Sequence, residues 1–270
     1  MRLVEDIAIS REEAENLIAS RRWYHRIEIC DGLVTPGITP PQGVIDVPTK
    51  LRGRGFGDDL TGLRILEVGT YDGPLAHELA KRGADVTALD IHDPDATGFS
   101  AVSKMTGIYP KYVRGSVNTL SSIFNEPFDV VFFLGVFYHL KDPIGAFDEI
   151  SAVLKDGGTV HFEGEGAGTN LQDINGNMIE HPDYVADALN WMNENGVPMC
   201  FAYPGTFNKH RNWFLANEAA LRGWLKAAGF SPNSLKAIEK AGRYSRKQVR
   251  LLGWATKKEG TGTIEHIVVA

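Results

Sequence analysis

Apolar and polar positions along the chain fall into blocks. Short, nearly continuous apolar runs occur at Arg64–Val68, Asp85–Leu89, Val130–Leu134 and Thr159–Glu163, each bounded by glycine, proline or charge. Runs of this length read as strands buried on both faces of a parallel sheet. Between them lie segments with helical spacing of apolar residues, at Pro74–Arg82, Phe99–Met105 and Pro143–Leu154, and a short strand at Lys111–Gly115. Asp156-Gly157-Gly158 reads as the stop of the third helix. Further on, Glu218–Ala228 is a helix closed by Gly229, and Leu235–Glu239 with Val249–Thr256 form a closing hairpin-like pair. Strand and helix alternating in this way predict a doubly wound α/β sheet with helices on both faces.

The ends of this core carry additions. Ser10-Arg-Glu-Glu13 fits a capping box, so a helix is predicted over Arg11–Ser20. Arg22–Cys30 alternates enough for a strand or an extended cover, and Asp31–Lys50 is rich in proline and glycine and reads as an ordered loop. Residues 1–60 are therefore expected to form an N-terminal helix and cover, and residues 61–270 the main domain. The stretch at about 164–212 is too long for a simple connection. It carries Tyr184, Trp191, Met192, Met199, Phe201, Tyr203 and Phe207, and is expected to cap a substrate.

Composition narrows the class only a little. The chain has 270 residues, 43% hydrophobic and 23% charged, with a net charge of -6. That balance disfavours a broad nucleic-acid grip. The two cysteines, Cys30 and Cys200, have no metal-like spacing, so neither a disulfide framework nor a metal site is expected. No run approaches the ~20 apolar residues of a membrane span. The N-terminus lacks a signal-peptide core, which points to a cytoplasmic protein.

The chemistry concentrates at the ends of the strands, where ligands of such sheets bind. Arg64-Ile-Leu-Glu-Val-Gly-Thr-Tyr-Asp-Gly73 is a strand followed by a glycine turn, and Asp90 ends the next strand. Backbone N–H groups of such a turn and a carboxylate at that position suit an adenosine-containing cofactor. Tyr71 stands where a dinucleotide fingerprint needs its middle glycine. The pattern Glu67-x-Gly69-x-x-x-Gly73 resembles motif I of the class I S-adenosylmethionine (SAM) methyltransferases. The resemblance implies a Rossmann-like sheet of about seven strands with an antiparallel edge. It implies SAM as cofactor and S-adenosylhomocysteine as product. On this resemblance Glu67 organises the loop or meets the methionine amino end, Asp90 and its neighbour Ile91 serve the ribose and adenosine, and Tyr71 covers the methionine part. Ser116 and Val117 take the adenine contacts, and Gly135 lets backbone carbonyls reach the cofactor. For Glu67 and Asp90 the alternatives are a solvent-facing acid and a turn cap; for Tyr71 it is plain packing.

Gly135-Val-Phe-Tyr-His-Leu-Lys-Asp-Pro143 leaves the central strand. With Arg211-Asn-Trp-Phe-Leu, Trp224-Leu225 and Ala228-Gly-Phe230 it resembles the tRNA wobble-uridine carboxymethyltransferases and their small-molecule methyltransferase relatives. In the carboxymethyl enzymes the tyrosine of this motif helps hold the carboxylate of carboxy-SAM, which falls on Tyr138. Their Trp-Arg-Lys-Gly segment has no counterpart, since Arg21-Arg-Trp-Tyr-His25 stands there, and a late arginine aligns with Arg246 or Arg250 only insecurely. Plain SAM is therefore expected. A hydroxyl acceptor needs a base, and His139 has the right chemistry; a structural histidine is the alternative. His25 is a rival base. Glu163 and Glu165 face the same edge. Trp23, Tyr24, His25, Tyr203, Arg211 and Trp213 are candidate substrate contacts. Lys236, Lys240, Arg243, Arg246, Lys247 and Arg250 form the densest basic stretch, an RNA patch or charged turns between strands. The leading expectation is methyl transfer from SAM to a small molecule, at oxygen. The alternatives are a tRNA wobble-uridine (carboxy)methyltransferase and a non-catalytic SAM-binding subunit. The acceptor and the oligomeric state are not specified by the sequence.

Overall fold

The computed structural model describes residues 2–38, 43–207, 211–241 and 247–260. Arg243 and Arg246 of the basic stretch lie outside the described residues. The chain divides into two compact units, Met1–Ser116 and Val117–Ala270.

The first unit opens with α1 (Arg11–Ala19), whose Ser10 side chain accepts the Glu13 N–H. Strands β1 (Glu28–Cys30) and β2 (Leu33–Val34) pair antiparallel. Of the strand or extended cover expected at Arg22–Cys30, only Glu28–Cys30 is strand; the N–H groups of Tyr24 and His25 bond a side chain, Asp72, at 2.8 Å each. Helix α2 (Val47–Arg52) sits inside the proline-rich stretch, capped by Asp46, with a proline in its first turn. There follow β3 (Arg64–Val68), α3 (Pro74–Lys81), β4 (Asp85–Asp90), α4 (Phe99–Thr106) and β5 (Lys111–Arg114). β3, β4 and β5 are parallel. The N-terminal segment packs Leu3, Trp23, Ile27 and Ile29 against Ala101, Val102 and Met105 of α4.

The second unit contains α5 (Leu120–Ile123), β6 (Phe128–Leu134), α6 (Pro143–Val153), β7 (Leu154–Gly166), α7 (Asp183–Glu194), β8 (Cys200–Phe207), β9 (Asn212–Ala216), α8 (Glu218–Ala227), β10 (Phe230–Ala241) and β11 (Lys247–Lys257). Helix α6 ends before the glycines expected to stop it. Gly157 and Gly158 fall instead within β7, where the register against β6 shifts. A Cβ on Gly158 would lie 2.8 Å from the Lys155 carbonyl, so the irregularity requires glycine. The region at 164–212 holds α7 and one arm of the antiparallel pair β8–β9.

The main sheet has seven strands in the order β10-β11-β7-β6-β3-β4-β5. β11 runs antiparallel to both of its neighbours, so the reversed strand lies one in from the edge, with β10 outside it. A mixed seven-stranded α/β sheet is the architecture the motif resemblance implied.

Candidate active site

In the first unit, the turn after β3 is built from left-handed residues. Gly69 (φ 80°), Tyr71 (φ 50°) and Gly73 (φ 78°) all have positive φ. Tyr71 is the strained one, since a Cβ disfavours that region. Asp90 holds it there: its Oδ2 accepts the Tyr71 N–H at 2.9 Å. Asp90 Oδ1 accepts the His92 N–H at 3.0 Å and faces His92 Nδ1 at 2.7 Å. The acid at the end of β4 is thus bound directly to the glycine turn after β3.

Glu67, buried at the end of β3, accepts the Thr70 hydroxyl at 2.7 Å. Burial pushes its carboxyl up to about 7, with the nearby Asp90 charge adding to the rise and the bonds from Thr70 and the Ala76 backbone opposing it. His77, one turn into α3, is fully buried and bonded to the Gly73 carbonyl (2.7 Å) and to Ser103 (2.9 Å). Desolvation lowers its pKa to about 4, so it is a neutral strut beneath the turn. Gly73 must be glycine, because a Cβ would lie 2.5 Å from the Phe99 ring.

Four rings line the turn. Tyr24 meets His25 (4.9 Å) and Tyr71 (5.6 Å) edge-on, and Tyr71 meets His92 (5.3 Å). Tyr24 is 47% exposed and Ile91, beside Asp90, is 63% exposed. An acid, an exposed aliphatic surface and a glycine turn form a donor and contact set that fits the ribose, adenine and methionine parts of SAM. Trp23 is different. It is 3% exposed, its indole N–H bonds the Ile18 carbonyl at 3.0 Å, and it belongs to the core rather than to a substrate wall. Ser116 is half-buried just beyond β5.

In the second unit, Gly135 (φ 77°) ends β6 and donates its N–H to the Glu163 carbonyl at 2.7 Å. The following 3-10 turn, Phe137–His139, buries Phe137 and Tyr138 and leaves His139 exposed, its ring 4.2 Å from that of Tyr138. Val117 is buried at the start of another such turn. Tyr138 has a cation beside it after all. The Arg250 guanidinium lies 5.5 Å from its ring centroid and 3.4 Å from Glu163. Arg250 stands opposite Glu165 in the β11–β7 register. Burial works against its charge, but Tyr138 and the two glutamates outweigh that, and its pKa rises. Glu165 accepts the Asn212 amide at 2.7 Å. Trp213 on β9 is half-buried under Lys141, whose Nζ sits 4.7 Å from its ring; this ties β9 to the turn carrying Tyr138 and His139. Tyr203 is buried against Phe207 (4.8 Å), and Arg211 is exposed with φ 58°.

A methyltransferase-domain family model matches residues 45–235. The chain belongs to the methyltransferase-domain family. The domain is of the class I SAM-dependent kind, as the seven-stranded sheet and the glycine turn also indicate. Among curated proteins, this methyltransferase chain is 32% identical over 103 residues to the ubiquinone biosynthesis O-methyltransferase of Aliivibrio fischeri strain MJ11, covering 38% of the chain and 44% of that protein. The chain thus spans less than half the length of the curated relatives it matches. Among solved structures, the N-terminal domain of EvdMO1 with SAH bound superposes with a TM-score of 0.62 at 16% identity, covering 93% of this chain and 98% of that one. The Burkholderia thailandensis 1,6-didemethyltoxoflavin-N1-methyltransferase, with bound 1,6-didemethyltoxoflavin and S-adenosylhomocysteine, gives a TM-score of 0.52 at 17% identity over 79% and 76% of the two chains. At such identities the likeness speaks to the fold.

Two residues of the site, Asp72 and His92, are specified by no motif in the sequence. The first is an acid inside a glycine turn, a position where a buried carboxylate has free N–H groups to serve. The second follows Asp90 by two residues, a spacing that lets a side chain fold back onto the acid.

Proposed function

We propose that this domain transfers the methyl group of SAM to an oxygen of a small-molecule acceptor. The observation carrying the cofactor side is the Asp90–Tyr71 bond, which joins the β4 acid to the glycine turn. When bound, SAM supplies an electrophilic methyl on a sulfonium, and the protein's work is to orient the acceptor and take its proton. Glu67, Gly69, Tyr71, Gly73, Asp90, Ile91, Ser116, Val117 and Gly135 serve the cofactor. Asp90 would hold the ribose, its carboxylate already tied to the Tyr71 and His92 N–H groups. Tyr24, His25, Tyr203, Arg211 and Trp213 serve the acceptor, Tyr138 supports it, and His139 takes its proton. Residues 61–270 form the catalytic domain, with 1–60 as cover and about 164–212 as cap. The relatives named O-methyltransferase support oxygen as the acceptor atom. A panel of phenols and aliphatic alcohols, offered with SAM and read for S-adenosylhomocysteine, tests the reading; the absence of product from any member counts against it.

Asp90→Ala should weaken SAM binding by about 10–100-fold, the scale of a lost charge-assisted hydrogen-bond pair. Calorimetry with unchanged affinity would remove Asp90 from the site.

Plain SAM should bind more tightly than carboxy-SAM. The cation beside Tyr138, Arg250, already faces Glu163 and Glu165, so a further carboxylate meets no net positive charge there. A competition titration favouring carboxy-SAM reverses this. Arg250 also weakens the RNA-patch reading, because its side chain is only 19% exposed and turned onto those acids. Acceptor binding that falls steeply with salt is the result that would restore tRNA as substrate.

A further inference from the structure

Asp72 accepts three backbone N–H groups, and none of the cofactor contacts uses it. It is fully buried. Its Oδ2 accepts the N–H groups of Tyr24 and His25, both at 2.8 Å, and its Oδ1 accepts the Gly98 N–H at 2.9 Å. The His25 imidazole Nδ1 lies 3.3 Å from the same Oδ2 and, among the described residues, has no hydrogen-bond partner. One side chain of the glycine turn therefore gathers two other segments, the N-terminal cover and the start of α4. The approach is built for it. A Cβ on Gly98 would stand 2.3 Å from the Trp23 ring and 2.8 Å from Asp72 Oδ1, so only glycine admits the carboxylate between them.

The opposite side of the cover segment is held as well. The Thr35 hydroxyl donates to the His25 carbonyl at 2.7 Å and accepts the Ile27 N–H at 2.8 Å. The backbone of Tyr24 and His25 is thus fixed from both sides. What it presents outward is the exposed Tyr24 ring and the partly exposed His25 imidazole, beside Tyr71. A backbone fixed this firmly, carrying side chains left open, is the arrangement of a recognition wall rather than of a core strand.

We propose that Asp72 is a positioning residue for the acceptor: it latches the Tyr24–His25 wall onto the cofactor turn, so that acceptor recognition and cofactor binding share one rigid base. This rests on the reading of Tyr24 and His25 as acceptor contacts. Asp72 itself touches neither reactant. Its amide analogue loses the charge that three N–H donors share, and its NH2 group confronts one of those donors.

The test is Asp72→Asn in the full chain, followed by amide hydrogen exchange and by calorimetry with S-adenosylhomocysteine, neither of which needs an acceptor. Exchange across residues 20–30 should rise about 10-fold or more, on the scale of one or two lost charge-assisted bonds. Exchange in β3 and β4 should stay as in wild type, and S-adenosylhomocysteine affinity should change by less than about 3-fold. With any phenol or alcohol of the panel that turns over, the acceptor KM should rise about 10-fold while kcat falls less. Unchanged exchange at 20–30 overturns the latch. A parallel loss of S-adenosylhomocysteine affinity assigns Asp72 to the cofactor turn instead, and a KM unchanged while exchange rises separates the latch from the acceptor reading. Should the variant not fold, the wild-type protein still decides: the amides of Tyr24, His25 and Gly98, corrected for their intrinsic exchange rates, should give one common opening free energy, as donors released by one opening, and three unrelated values overturn the proposal.

Discussion

Replacing His139 by alanine is expected to lower turnover by about 10²–10⁴-fold while leaving SAM affinity nearly unchanged. The residue closes the turn after β6 and is exposed, against the Tyr138 ring. The turn itself is held by backbone bonds, His139 N–H to the Val136 carbonyl at 2.8 Å and Gly135 N–H to the Glu163 carbonyl at 2.7 Å. Removing the imidazole should therefore leave the backbone in place, and an exposed substitution of this kind changes stability by no more than about 0.5 kcal/mol. A loss of two to four orders of magnitude corresponds to roughly 3–5 kcal/mol of transition-state stabilisation, well separated from that background. The pH–rate profile should also lose the limb belonging to an imidazole. A stable variant with full activity at every pH eliminates His139 as the base and leaves His25 to be tested in the same way.

The second large effect is on stability, at Glu67. Its folded-state carboxyl titrates at about 7 against an ordinary 4.5, with burial as the main cause. The sign follows from proton uptake: between those values the folded protein holds a proton that the unfolded chain has released. The stabilisation from that proton is complete below about pH 4.5 and is lost as pH rises through about 7. The full swing is on the order of 3 kcal/mol. Glu67→Gln removes the titration and keeps an oxygen for the Thr70 hydroxyl. Denaturant unfolding from pH 5 to pH 8 should therefore show wild type losing stability that the variant retains, with the variant the more stable at the alkaline end. Parallel curves contradict the assignment.

Both predictions fall on residues that the sequence marked, and the reason is local. The runs at Arg64–Val68 and Asp85–Asp90 are largely apolar strands with an acid in one of their last two positions, and Gly69 and Gly73 after the first favour a turn. Strand ends, turn and acid therefore follow from short-range pattern. The same holds for the turn after β6. What the pattern did not reveal depends on partners distant in sequence. Tyr24 and His25 belong to a cover rather than a strand because their N–H groups go to Asp72. Trp23 is core because α4 packs over it. Arg250 looked like one more cation of a basic stretch, and only the pairing of β11 with β7 sets it opposite Glu165 and within reach of Glu163 and Tyr138. Helix α2 escaped notice because proline and glycine around it outweighed the Asp46 cap and the first-turn proline that do favour a helix start. The β8–β9 pair has an irregular register and few alternating positions to announce it.

SAM-dependent methyl transfer to a small-molecule oxygen is measured by supplying SAM labelled in its methyl group together with the phenol and alcohol panel, and following S-adenosylhomocysteine and labelled product by mass spectrometry. The expected result is equal amounts of S-adenosylhomocysteine and of a product carrying the label as a methyl ether. Tight SAM binding with no S-adenosylhomocysteine formed above the protein-free control would contradict it and leave a SAM-binding protein without transfer activity.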